Sequence, residues 1–151
     1  MERTLVLFKP DSIQRALVGQ MMSRFEKKGL RIVGLKMIKM PAGTAKEHYS
    51  HLVDKPFYPD LEKFMTHHPI IAMVVEGTEC IEVVRKLCGV TNGRKAEPGT
   101  IRGDFSNSTS RNTIHASDSK EVAEKEIKRF FKEDELFDYE VNLEYLYAAD
   151  E

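Results

Sequence analysis

One histidine stands where a phosphate could be handled. In Asn112-Thr113-Ile114-His115-Ala116-Ser117-Asp118-Ser119 the imidazole follows a short β-prone run, and residues that cap helix N-termini come directly after it. That order puts His115 where a strand gives way to the open end of a helix. Such an end carries free backbone N–H groups and a partial positive charge, so it draws anions. A nucleophilic imidazole at an anion site suits phosphoryl transfer. A histidine that merely happens to lie near a helix start is the other reading of the same residues.

Three cations could complete a phosphate site. Lys9 ends the apolar run Thr4-Leu5-Val6-Leu7-Phe8, Arg85 lies on a helical stretch, and Arg102 sits in a long irregular segment. Arginine offers a planar fork to phosphate oxygens and lysine a point charge. Taken singly, each is more readily an ordinary solvated surface residue. Glu126 is a fourth oddity. It lies four residues from both Val122 and Phe130, on an otherwise apolar helical stripe. A carboxylate there should be exposed at the stripe's edge or paired. Pairing with an imidazole would fix the ring's tautomer and orientation.

The elements that must position these groups follow from periodicity. Thr4–Phe8 and Ile70–Val75 are continuously apolar and predict strands buried on both faces. Leu17, Met21 and Phe25 mark one helix after Pro10-Asp11, stopped by Gly29. Leu30 to Met40 predicts a strand with Val33, Leu35 and Met37 on one face. Thr44-Ala45-Lys46-Glu47 has the pattern of a capping box, and Thr78 could cap the helix carrying Ile81, Val84 and Cys88. From Gly89 to Arg111 no period is visible, and so long a stretch without one tends to be functional. A last helix starts near Ser119, and the tail from Leu136 to Glu151 is expected to wrap over the surface. The order β-α-β-α-α-β-α-loop-β-α predicts one α+β domain over residues 1–151, a ferredoxin-like sandwich with a four-stranded antiparallel sheet covered by helices.

Composition narrows the classes. The chain has 151 residues, 41% of them hydrophobic, and a net charge of −1. That supports a real core and carries no basic excess of the kind a nucleic-acid domain shows. No apolar run approaches ~18 residues, so no membrane span is expected, and the cytoplasm is the default. Cys80 and Cys88 lack disulfide or metal spacing and should be small buried residues. His48, His51, His67 and His68 lack zinc-site context and are expected to be structural or exposed. Neither a P-loop nor a Rossmann glycine pattern is present.

With these residues in view, the sequence resembles the nucleoside diphosphate kinase family. The stretch 112–119 matches N-x-x-H-[GA]-S-D-S; Pro98-Gly99-Thr100-Ile101-Arg102-Gly103-Asp104-Phe105 and Thr4 to Asp11 match two further blocks, in the family's order and spacing. The similarity runs from the N-terminus to about Tyr139. The resemblance implies transfer of the γ-phosphate of ATP, or another triphosphate, to a nucleoside diphosphate by a ping-pong route through a phosphohistidine on His115. It implies that Lys9 and Asn112 meet the ribose hydroxyl, that Arg85, Thr91 and Arg102 hold phosphates, and that Tyr49 contacts Lys9. Phe57 would stack on the base with Leu61 beside it, and Glu126 assisted by Ser117 would orient His115. Mg²⁺ would ride on the nucleotide's phosphates, with no direct protein ligand and Asp118 as a contact through water. A homo-oligomer is implied, a hexamer or alternatively a tetramer. Thr109 stands where the family commonly has an aliphatic residue beside the base, Gly93 where proline is usual, and Lys55 where arginine is common.

Two other functions use some of the same residues. A ferredoxin-like sheet could be a binding module, since fold does not fix function, although the charge and the lack of aromatic RNA-binding strands count against specific nucleic-acid binding. A phosphohistidine relay between proteins would use His115 but would need neither Phe57 nor Asn112.

Overall fold

The computed structural model covers all 151 residues. Four strands, β1 (Glu2–Phe8), β2 (Arg31–Ile38), β3 (Ile70–Gly77) and β4 (Ile114–Ala116), form one antiparallel sheet in the order β2-β3-β1-β4. The apolar runs land in the two centre strands, as their lack of polar alternation requires. Leu5 and Leu7 of β1, with Ala72 and Val74 of β3, face one core. Val6 and Phe8, with Met73 and Val75, face the other. The helices α3 (Ala42–His48), α4 (Tyr58–His67) and α7 (Lys120–Phe130) supply the first core, which holds Ala45, Tyr58, Met65 and Phe130. The second is built with α2 (Val18–Lys27) and α5 (Cys80–Cys88). Two shorter helices, α1 (Pro10–Gln14) and α6 (Ile101–Phe105), flank the strand exits. Both cysteines are free and buried. No helix is long and apolar enough to cross a membrane. The ferredoxin-like expectation holds.

Several local expectations fail for physical reasons. Leu35 and Met37 do not share a face with Val33. A bulge between Ile32 and Gly34 adds a residue to β2, which inverts the parity of everything after it. Val33 is buried in the first core, while Leu35 and Met37 are half or more exposed at the sheet's edge. The helix after Lys9 is two helices, because Ala16 turns left-handed (φ 55°) between them. The Thr44–Glu47 box does not form; α3 starts two residues earlier, with Pro41 as its N-cap and no side-chain bond. Thr78 is not a cap either, for Glu79 holds that position and the Thr78 N–H is taken by the Tyr147 hydroxyl. The segment 89–111 contains α6, too short to show a period, whose N-cap Thr100 accepts from the Gly103 N–H. Gly93 is fixed by close packing: a Cβ there would overlap the Ser106 carbonyl, and its N–H donates to Ser108.

The tail does wrap the surface. The Phe137 N–H bonds the Val33 carbonyl and the Tyr139 hydroxyl bonds that of Ile32, so the tail covers the bulged start of the β2 edge.

Candidate active site

A cleft of about 560 Å³ opens where β1 and β4 end, between α3, α5 and α7. Lys9, Arg85, Arg102, Asn112 and His115 all line it, as do Thr91, Tyr49, Asp118 and Glu126. Residues spread over nearly the whole chain thus share one wall.

The pairing of β1 with β4 does the positioning. Leu7 lies opposite His115, and the Lys9 N–H donates to the Thr113 carbonyl at 2.9 Å. Thr113 is held at φ 71°, an unusual conformation for a β-branched residue. Asp11 accepts its N–H at 3.0 Å, and its hydroxyl donates to the Asn112 carbonyl. These contacts fix the kink that aims Asn112 and His115 into the cleft.

Asn112 is buried and bridges two candidates. Its Oδ1 accepts from Lys9 Nζ at 2.7 Å, and its Nδ2 donates to the Thr91 carbonyl at 2.9 Å. Tyr49, expected to contact Lys9, makes no hydrogen bond to it. The ammonium has its partner in Asn112, and the Tyr49 hydroxyl is buried without one. Burial, followed by the nearby charge of Arg102, lowers the Lys9 pKa to about 8. Arg102 is 4% exposed, and its guanidinium donates to the carbonyls of Gly89 (2.8 Å) and Ile114 (2.6 Å). Arg85 reaches the Ala116 carbonyl at 3.2 Å. The cleft is therefore cationic over the backbone of β4.

His115 is held from behind. Its Nε2 lies 3.0 Å from Glu126 Oε2 and 3.1 Å from Oε1, and Ser117 Oγ donates to Oε1 at 2.6 Å. A carboxylate accepts, so Nε2 carries the proton and Nδ1 keeps its lone pair. Burial pushes the Glu126 pKa up, but the bonds from His115 and Ser117 outweigh it and hold it at about 2. The odd acid on the apolar stripe is a paired one. The N-terminus of α7 follows, capped by Ser119, whose side chain accepts the Val122 N–H.

Two base-site candidates stand apart. Phe57 is 54% exposed at the start of α4, outside the cleft wall. Leu61, expected beside the base, lies one turn on from Phe57 and packs in the first core. Thr109 is exposed in the loop before Asn112. That loop is tied to α4 by Arg111, which pairs with Asp60 at 3.1 Å and covers the Phe64 ring at 4.0 Å.

His48 is the residue that spacing alone missed. It is buried, and its ring meets that of His115 edge to face at 4.6 Å. Its Nδ1 lies 3.2 Å from Glu126 Oε2 and 3.0 Å from Arg129 Nη1. Burial, then the neighbouring His115, lowers its pKa to about 3. No local sequence pattern marks it. Arg129, three residues after Glu126, was the one available hint. His51, His67 and His68 are exposed, as expected.

Two exposed carboxylates line the cleft, Asp118 and Glu47; Glu47 is paired with Arg129 and buried Glu126 is engaged, so Asp118 is the one suited to Mg²⁺. That fits an ion carried mainly by phosphates and water.

A family model described as "Nucleoside diphosphate kinase" matches residues 2–136. The nucleoside diphosphate kinase of Parabacteroides distasonis is 55% identical over 152 residues, spanning 100% of this chain and 99% of its own. That of Methanocaldococcus jannaschii is 56% identical over 137 residues, spanning 91% and 98%. Among solved structures, the Halobacterium salinarum nucleoside diphosphate kinase in complex with CDP superposes with a TM-score of 0.94 at 43% identity, covering 97% of this chain and 99% of that one. The Borrelia burgdorferi enzyme, a transition state mimic with bound vanadate and ADP, gives 0.88 at 40% identity, covering 96% and 97%. With a family match over nine-tenths of its length and relatives above half identity, the chain belongs to the nucleoside diphosphate kinase family.

Proposed function

We propose that this phosphotransferase moves the γ-phosphate of ATP, or another nucleoside triphosphate, onto a nucleoside diphosphate through a phosphohistidine at Nδ1 of His115. The observation that carries the reading is the bond from His115 Nε2 to Glu126, which leaves the other ring nitrogen free on the cleft side. In the first half-reaction the Nδ1 lone pair attacks the γ-phosphorus and the bond to the β-phosphate oxygen breaks, releasing the diphosphate. The second half-reaction reverses this onto the acceptor. The positive charge that appears on the ring is balanced by Glu126, already ionised. Lys9, Arg85 and Arg102 stabilise the transferring oxygens, with Thr91 beside them, because positioning and electrostatics dominate this chemistry. Lys9 and Asn112 meet the ribose hydroxyl.

Phe57 offers a stacking face for the base, and stacking tolerates every base. Mg²⁺, when bound, neutralises phosphate charge, with Asp118 as its contact through water. The CDP in the Halobacterium relative and the vanadate with ADP in the Borrelia relative support a nucleotide and a transferring phosphate in this cleft.

The protein acts in the cytoplasm as a homo-oligomer, a hexamer in preference to a tetramer. Exposed Leu35 and Met37 on the β2 edge, with Phe137, Tyr145 and Leu146 on the tail, supply apolar surface for subunit contacts.

Initial rates measured over a grid of ATP and diphosphate concentrations should give parallel double-reciprocal lines. Intersecting lines would mean direct transfer in a ternary complex and would reject the phosphoenzyme.

The Lys9 shift gives a pH signature. Below about pH 8 the ammonium is charged and holds phosphate; above it the charge is lost. The kcat/KM profile, which reports the free enzyme, should fall on the alkaline side near pH 8. In kcat the limb should sit higher, since bound phosphate favours the charged amine. Lys9→Arg should remove the limb from the accessible range, because guanidinium stays protonated. An unchanged limb in that variant would assign it to another group.

A further inference from the structure

We infer that His48 is a positioning residue that keeps Arg129 from capturing Glu126, so that the carboxylate stays on His115. The inference rests on the reading of His115 as the nucleophile.

Glu126 and Arg129 lie three residues apart on α7, a spacing at which a carboxylate and a guanidinium normally meet. They form no ion pair here; Arg129 pairs with Glu47 instead, Nε to Oε1 at 3.3 Å. The His48 ring stands between them, and the same nitrogen, Nδ1, touches both: Arg129 Nη1 at 3.0 Å and Glu126 Oε2 at 3.2 Å.

A neutral imidazole cannot satisfy both. With its proton on Nδ1 it donates to Glu126 and presents N–H to a guanidinium. With its proton on Nε2 it accepts from Arg129 and turns a lone pair to a carboxylate. In either form Nε2 is buried and unpartnered. An arrangement with one contact always unsatisfied has no value as a staple. It makes sense as a barrier, because the alternative is a direct Glu126–Arg129 pair.

That pair would be costly to the reaction. Glu126 would divide its charge between Arg129 and His115, Nε2 would lose its fixed acceptor, and the ring would turn more freely. The other charged or titratable groups around His48 cannot replace it. Glu47 and Tyr49 lie on its own segment, where Glu47 already holds Arg129 from the solvent side. His115 comes from β4 and Lys9 from the end of β1, and both act on its charge rather than on Glu126's direction. The ring is also wedged edge-on between His115 (4.6 Å), Tyr49 (4.7 Å) and Phe130 (5.3 Å), which keeps the barrier rigid.

The test uses the full chain and five variants: H48A, H48N, R129L, H48A/R129L and H115A. H48A should lower kcat by roughly 10- to 100-fold with KM changed by less than about 3-fold, the scale of a misplaced reacting group. H48N keeps a polar atom near the Nδ1 position and should stay within about 5-fold of wild type. H48A/R129L, with the competitor gone, should recover at least half of the logarithmic loss, a coupling that only a double-mutant cycle reveals. If H48A unfolds, H48S and H48S/R129L make the same comparison, since serine is likewise too short to stand between Glu126 and Arg129. Wild-type kinetics in H48A, or no recovery on removing Arg129, would reduce His48 to a space filler and overturn the inference. A phosphoenzyme persisting in H115A would instead overturn the reading it rests on.

Discussion

Replacing His115 with alanine is expected to lower kcat/KM by at least about 10⁴-fold and to abolish the phosphoenzyme, since removing a covalent nucleophile removes the whole pathway. The fold should persist. His115 sits on a three-residue edge strand with 24% of its side chain exposed, and its neighbours on β1 are already packed by β3. The cost falls on Glu126, which would keep Ser117 but lose its charge-assisted donor, about 1–3 kcal/mol for a buried group. His115→Gln separates the two effects. Its amide nitrogen can take the place of Nε2 and donate to Glu126, but it has no nucleophilic atom toward the cleft. The glutamine variant should therefore melt within a few degrees of wild type and be as inactive as the alanine variant. Thermal melts and steady-state rates on both proteins decide this. Residual activity well above background in the glutamine variant would mean that another group carries the phosphate.

Arg102→Ala should be the most damaging change that leaves the nucleophile in place. The guanidinium does two jobs. It joins the carbonyl of Gly89, at the end of α5, to that of Ile114 on β4, and it presents positive charge to the cleft. Truncation leaves both carbonyls without that donor, a loss of about 2–4 kcal/mol, or roughly 5–15 °C in Tm for a chain of this size. Losing the phosphate contact should lower kcat/KM a further 10²- to 10³-fold, about the effect of removing one oxyanion donor. Arg102→Lys should not repair it, because one ammonium cannot reach two carbonyls in the fork geometry. The variant should also move the alkaline limb upward. After burial, the charge of Arg102 is the largest influence lowering the Lys9 pKa, and its removal lets that amine keep its proton longer. A stable Arg102→Ala protein with an unmoved limb would contradict both roles.

Much of this was legible in the residues. The two buried strands declared themselves because Leu5 through Phe8 and Ile70 through Val75 have no polar alternation. Glu126 declared itself as an acid where the stripe should have been apolar, and its burial against His115 and Ser117 explains why it survives there. The β2 face could not be read, since a bulge is a matter of one unpaired residue and the sequence around Gly34 does not say which partner is skipped. The α6 segment was hidden by its length, five residues being too few to show a 3.6-residue period. Resemblance transfers a residue's name but not its hydrogen bonds: the lysine bonds Asn112, the Tyr49 hydroxyl is unbonded, and Leu61 packs in the core. His48 carries no metal-site spacing to mark it. Its importance lies in contacts to α7 and β4, about eighty and nearly seventy residues away along the chain, which no local pattern reports.

The central claim is that phosphate passes through His115. The most direct measurement mixes the purified protein with γ-labelled ATP and Mg²⁺ without acceptor, digests it under alkaline conditions and maps the label. The predicted result is an acid-labile, alkali-stable phosphate on Nδ1 of His115, lost on adding a nucleoside diphosphate and absent from His115→Ala. No label, a label on another residue, or a label that a diphosphate cannot remove would contradict the account.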